Sequence, residues 1–185
     1  MNNTIISKDV ILEMSKNLIM EQGWTAINIR SVAAACGVSI GTIYNYFASK
    51  ADLVADTIES VWHEIFHLSG QEPEFKSFLE CIEWFFQSIE KGSLKYPGFF
   101  TLHSMSFLGE DRSKGQQLMQ QSWNHIKQSL CMVLLNDKNV RPDAFNQQFT
   151  PEGFVELIFS LMISALLRED YHSSTIIEVI KRSIY

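Results

Sequence analysis

Three groups of residues in this 185-residue chain have types and spacings that could do chemistry. His63-Glu64-Ile65-Phe66-His67 reads H-E-x-x-H. On a helix that spacing puts two imidazoles on one face, where they can hold zinc, with a glutamate between them as hydrolytic base. Gly70 follows at a suggestive distance, but the longer form of the motif wants a histidine where Pro73 stands. A second group is Thr42, Tyr44, Asn45 and Tyr46. Its hydroxyls and amide suit base edges and phosphate oxygens. The third is an aromatic and methionine-rich span: Trp84, Phe85, Phe86, Phe99, Phe100, His103, Met105, Phe107, Met119 and Trp123. Core packing needs one apolar face, and Trp84-Phe85-Phe86 covers more than one, as an apolar ligand pocket would.

The elements that must position these groups read as helices throughout, with no sustained alternation of β-branched residues. Ser7 caps a first helix that runs to Gln22, with Gly23 as its terminator. A second follows Asn28 and ends at Cys36-Gly37, and a third follows Ser39 and ends near Phe47. A fourth follows Ser49, with Asp52 at N3 as in a capping box, and reaches about Leu68. Pro73 suits the first turn of a fifth helix reaching Lys91, and Pro97 precedes a sixth reaching Leu108. A long helix spans Ser113–Leu135, and residues 136–150 form a polar loop. Pro151 opens an apolar helix through Leu167, and Ser173 or Ser174 caps the last. Gly92, Gly109 and Gly115 stand at plausible breaks.

Composition narrows the function classes. Cys36, Cys81 and Cys131 are odd in number and lack C-x-x-C spacing, which argues against a disulfide framework and for a reducing compartment. No apolar run is long enough to span a membrane, and the N-terminus lacks the pattern of a secretory signal. A cytoplasmic protein is the expectation. Net charge is −6, yet Lys8, Lys16, Arg30 and Lys50 against Asp9, Glu13 and Glu21 leave residues 1–50 at +1 and the remainder at −7. Any nucleic acid would therefore meet the first fifty residues.

Those residues contain a helix-turn-helix pattern. Ala33 is the small residue that lets a second helix cross closely, and Gly37, four residues on, supplies the turn. Val32, Cys36, Val38 and Ile43 fall at the apolar positions that lock the two helices. The outward residues of the second helix, Ile40–Phe47, would be Ile40, Gly41, Thr42, Tyr44, Asn45 and Tyr46. In this geometry the start of that helix meets base edges in the major groove. Asn45 can pair with an adenine edge, and Thr42 can touch phosphate or a thymine methyl. Tyr44 and Tyr46 can donate to phosphate, although the offset of Tyr46 is usually apolar. Lys50 adds a charge at a helix start. Ile43 and Phe47 are core.

Residues 11–58 resemble the N-terminal domain of the tetracycline-repressor (TetR) family of transcriptional regulators. The run Gly-Val-Ser-Ile-Gly-Thr-Ile-Tyr-Asn-Tyr-Phe-Ala-Ser-Lys-Ala-Asp-Leu, residues 37–53, carries the resemblance. Glu21-Gln22-Gly23, Ile27-Asn28-Ile29-Arg30 and Val32-Ala33 also fit. The resemblance implies an all-α fold of about nine helices. A three-helix DNA-binding domain, residues 1–50, would be joined by the fourth helix to an effector-binding and dimerisation domain, residues 51–185. It places DNA contacts at Asn28, Arg30, Ser39, Gly41, Thr42, Tyr44, Asn45, Tyr46 and Lys50. Ile40 and Ala48 depart from the pattern, because lysine or another polar residue is common there, and they imply a weaker electrostatic contribution.

The resemblance further implies a homodimer on a double-stranded operator, released by a small-molecule effector and involving no membrane. The apolar helix would pair with its copy through Phe154, Leu157, Ile158, Leu161, Met162, Ala165 and Leu166. The effector pocket would draw on Trp62, Phe66, Glu83, Phe86, Phe100, His103, Phe107 and Trp123. No catalytic residue, metal or cofactor is expected. Two alternatives stand beside this reading: a zinc hydrolase resting on His63–His67 alone, and a helical interaction protein whose head has lost DNA binding.

Overall fold

The computed structural model describes residues 6–66, 74–100 and 112–185; for residues 112–119, 121 and 122 it describes the backbone alone. Among the described residues there are helices and no strands, as the sequence leads one to expect. Contacts divide the chain into two compact units, Met1–Gly70 with Lys91–Leu102 and Gln71–Glu90 with His103–Tyr185.

The first unit is built on α1 (Lys8–Gln22), a 3-10 turn (Trp24–Ala26), α2 (Ile29–Ala35), α3 (Ile40–Tyr44) and α4 (Lys50–Phe66). Short-range capping fixes each boundary. Ser7 accepts from the Val10 amide at 3.3 Å, and Gly23 leaves α1 at φ +78°. Asn28 Oδ1 accepts from the amides of Arg30 and Ser31, both at 3.0 Å, while Ser31 Oγ accepts from the Asn28 amide at 3.1 Å. This reciprocal box satisfies donors that the first turn of a helix leaves open. Ser49 Oγ accepts from the Asp52 amide at 3.1 Å and donates to the Asp52 carboxylate at 2.9 Å.

Ile11, Ile19, Val32, Ile43, Phe47, Leu53 and Val61 are almost wholly buried and form the core of this unit. Aliphatic side chains removed from water are its main cohesion. A polar cluster adds to it. Lys16 of α1 reaches Glu13 at 2.7 Å and Glu64 of α4 at 2.6 Å, and Glu64 also accepts from Lys95 and, at 3.1 Å, from the Tyr96 hydroxyl. Trp62 stacks on Phe66 at 5.4 Å and meets Phe99 and Phe100 edge-on, each at 5.6 Å; Trp24 lies 5.2 Å from Phe99.

Helix α5 runs Phe78–Lys95; residues 78–90 belong to the second unit and 91–95 to the first. Two expectations change here. Residues 74–77 are not helical, so the helix does not start at Pro73, which lies outside the described residues. Ser77 starts it instead, accepting from the Glu80 amide at 3.2 Å, while the Glu80 carboxylate accepts from the Lys76 amide at 2.8 Å. Gly92 is not a break either. It lies inside α5, and a Cβ added there would meet Ile65 side-chain carbons at 2.7–2.8 Å. Only glycine allows so close a helix approach. The helix expected after Pro97 is described only at residues 99 and 100, and the rest of it lies outside the described residues.

The second unit continues with α6 (Arg112–Asn136), α7 (Pro151–Leu167) and α8 (Ser174–Ile184). Helix α6 passes through Gly115 without a break, so that glycine is not a terminator. Thr150 caps α7, accepting from the Gly153 amide at 3.1 Å, with Pro151 in its first turn. Phe78, Phe86, Leu134, Phe154, Ile158, Met162, Ile180 and Ile184 are buried in this unit. Buried Asp137 accepts from the Phe78 amide at 2.8 Å, the Asn139 amide at 2.9 Å and the Tyr185 hydroxyl. Burial alone would raise its pKa, but the donors from Tyr185, Phe78 and Asn139 hold the carboxyl below its ordinary value.

Of the seven residues expected on a partner-facing stripe of α7, Phe154, Ile158, Met162, Ala165 and Leu166 are buried within the single chain, whereas Leu157 and Leu161 are exposed. The period of the apolar residues does not separate these faces, because α7 is apolar nearly all round.

Candidate nucleic-acid interface

The turn between α2 and α3 is fixed by backbone hydrogen bonds. The Val38 amide donates to the Ala33 carbonyl at 3.0 Å and the Gly37 amide to the Ala34 carbonyl at 3.1 Å, with Gly37 at φ +64°. This pair of bonds is a Schellman motif, which needs a left-handed residue and so favours glycine. An added Cβ at Gly37 would meet nothing within 4 Å, so the demand is purely conformational. Val32 and Ile43 lock the two helices from full burial, while Cys36 and Val38 are half-buried.

Helix α3 is shorter than expected, ending at Tyr44 rather than near Phe47. Asn45 and Tyr46 form a turn after it, and the Phe47 amide still reaches the Ile43 carbonyl at 3.1 Å. Ser39 caps the start, accepting from the Thr42 amide at 3.1 Å and sharing a hydrogen bond with the Thr42 hydroxyl at 2.9 Å. Ile40, Gly41, Tyr44, Asn45 and Tyr46 are exposed, and Thr42 is half-buried. This contiguous outward surface faces away from the Ile43 and Phe47 core.

The remaining expected contacts flank helix starts. Arg30 is the second residue of α2 and Lys50 the first of α4, and both are exposed. Asn28 is half-buried, with its oxygen occupied by the α2 cap and its Nδ2 donating to the Ala26 carbonyl at 3.4 Å. The Tyr46 hydroxyl donates to the Ile6 carbonyl, which directs its one proton to the protein backbone. The sequence pattern carries no sign of that bond, since 40 positions separate donor and acceptor.

Glu64 of the H-E-x-x-H run is engaged otherwise. Burial would raise the pKa of Glu64, but hydrogen bonds from Lys16, Lys95 and Tyr96 overcome this and hold it at about 2. The usual range for a general base lies near the working pH, so this carboxylate is a poor one. It works as the centre of an ion-pair cluster, a role that buried Lys16 on α1 could have suggested. His63 is exposed at a shallow surface groove with Lys8, Leu12, Asp56, Glu59 and Ser60, and His67 lies outside the described residues.

The expected pocket residues distribute over both units. Trp62, Phe66 and Phe100 are gathered in one aromatic group of the first unit. In the second, Phe86 is buried beside Phe85, Trp123 is edge-on to Phe159 at 5.9 Å, and Glu83 is exposed. His103 and Phe107 lie outside the described residues.

Comparison with known proteins agrees with this geometry. Residues 11–57 match the model for bacterial regulatory proteins of the tetR family. The HTH-type transcriptional repressor KstR of Rhodococcus jostii (strain RHA1) is 26% identical over 110 residues, covering 60% of this chain and 51% of that protein. The HTH-type transcriptional regulator AlkX of Mycobacterium tuberculosis (strain ATCC 25618 / H37Rv) is 39% identical over 46 residues, 25% of this chain and 22% of that protein. The matches thus span about half or less of these curated relatives. A crystal structure from Rhodococcus sp. RHA1, described as a candidate transcriptional regulator, shares the fold at TM-score 0.61 and 14% identity, covering 94% of this chain and 92% of the other. Residues 11–57 thus match the helix-turn-helix domain of the tetR family of bacterial regulatory proteins, within an all-helical fold that the whole chain shares with that crystal structure.

Proposed function

We propose that this protein is a sequence-specific, DNA-binding transcriptional regulator that acts as a homodimeric repressor in the cytoplasm. The observation that carries the reading is the exposed face of α3, held outward by Gly37 and the buried Ile43, between helix starts bearing Arg30 and Lys50. Gly41 supports it. A side chain there would meet Ser39 Oγ at an ordinary 3.7 Å, so the fold does not require glycine, whereas a close approach to DNA rewards it. The names of the relatives, a transcriptional repressor and a transcriptional regulator, point the same way.

In this reading two copies pair through α7 and α8, with Leu157 and Leu161 exposed for the contact. Two α3 helices about 34–36 Å apart then enter successive major grooves of a palindromic operator. Thr42, Tyr44 and Asn45 reach bases and phosphates, with Ser39, Gly41 and Tyr46 beside them; Arg30, Lys50 and the Asn28-capped start of α2 hold the backbone. An apolar small molecule taken up against Trp62, Phe66 and Phe100 of α4 and the segment after α5 releases the DNA. It does so only by differential affinity for the free and bound states.

A mobility-shift titration with the DNA flanking the protein's own gene tests the reading. Tyr44→Ala and Lys50→Ala each weaken binding about tenfold with an unchanged melting temperature. Lys50→Ala also lowers the slope of log K against log salt by about 1 for each protomer. Binding unaffected by both substitutions at moderate salt would show that α3 and α4 do not face the DNA.

A further inference from the structure

Residues 39–49, Ser-Ile-Gly-Thr-Ile-Tyr-Asn-Tyr-Phe-Ala-Ser, contain no carboxylate, ammonium, guanidinium or imidazole. Helix α3 with its flanks therefore lacks the arginine or lysine that would pair with a guanine edge. What it offers instead includes a bare aliphatic side chain. Ile40, its first residue, is 43% exposed, while every other described isoleucine of the first unit is buried or half-buried. It stands at the end of the helix that would meet base edges first in this docking geometry. An alkyl side chain can neither donate nor accept a hydrogen bond. The one base-edge group in the major groove that rewards it is the C5-methyl of thymine.

We infer that Ile40 is a specificity-determining residue that reads a thymine methyl in each half-site. The inference rests on the DNA-binding reading above and deepens it. Placing an alkyl group at this position exchanges phosphate attraction for a choice of base. Cytosine lacks the methyl, and uracil differs from thymine by it alone. Burial of one methyl against Ile40 accounts for about a fourfold preference in each half-site.

The test first selects bound duplexes from a random DNA pool with the full-length protein, then replaces each thymine of the selected site singly with deoxyuridine. One thymine in each half-site shows a loss of affinity of about fourfold on removal of its methyl. Ile40→Ala abolishes the difference between thymine and deoxyuridine at that position, and Ile40→Val keeps part of it, with melting temperatures unchanged. Three results would overturn the inference: a selected site indifferent to deoxyuridine everywhere, an undiminished uracil penalty in Ile40→Ala, or a change of oligomeric state in Ile40→Ala without DNA, which would make the residue a protein contact. Failure to select any DNA would instead remove the proposed function itself, and this inference with it.

Discussion

Helices α2 and α7 end in the same backbone motif with different residues. In the first unit Gly37 takes the left-handed position after α2 at φ +64°. In the second, Glu169 takes it after α7 at φ +56°, with the Asp170 amide donating to the Ala165 carbonyl and the Glu169 amide to the Leu166 carbonyl. A side chain in that conformation costs about 1 kcal/mol, so surrounding packing must hold it there. Buried Ala165 and Leu166 at the end of α7 provide such packing. The comparison teaches that the two units encode geometry differently. At these two helix ends the first writes the left-handed turn into residue type, whereas the second holds it beside buried apolar side chains.

The largest effect that could break this comparison is expected in the second unit. Phe154→Ala removes a side chain only 1% exposed and costs about 3–5 kcal/mol in urea unfolding. Leu157→Ala, one turn on and 50% exposed, changes monomer stability by less than about 0.5 kcal/mol but weakens self-association in sedimentation. Equal losses at low protein concentration would mean that α7 has no free face.

Next comes the polar cluster of the first unit. Glu64→Gln costs about 2 kcal/mol, because it leaves the largely buried Lys16 with one partner, Glu13. The pH dependence has a definite sign. Glu64 has a depressed folded pKa of about 2, against an ordinary value of 4.5. Its contribution is therefore fully present above pH 4.5 and is lost as pH falls toward 2. Acid unfolding of Glu64→Gln should be flatter than wild type in that window; an identical profile would show that the cluster adds nothing.

The smallest effects bear on the paired helix ends. Gly37→Ala costs about 1 kcal/mol through backbone strain alone, since its Cβ has open space. Glu169→Gly gains roughly 0.5 kcal/mol by relieving the same strain. Thermal unfolding of both variants checks whether the signs are opposite.

Much of the reading head was legible in the sequence. Ser7, Asn28, Ser39 and Ser49 each mark a helix start, and Gly23 and Gly37 two ends, because capping acts over three or four residues. The outward face of α3 follows from the positions of Ile43 and Phe47. Less legible were features decided by distant partners. Gly92 reads as a helix breaker, yet it is a contact point for Ile65. Tyr46 reads as a phosphate donor, yet its hydroxyl meets Ile6. Glu64 reads as a hydrolytic base, yet Lys16, Lys95 and Tyr96 surround it.

The helical class, the helix-turn-helix and the resemblance of residues 11–57 to the tetR family follow from local spacing and short-range capping. Only the tertiary structure decided which face of α7 is core, what Glu64 does, and how the Tyr46 proton is used. Those outcomes depend on side chains tens of positions apart, whose meeting is set by packing and by the cost of leaving buried charges and donors unpaired.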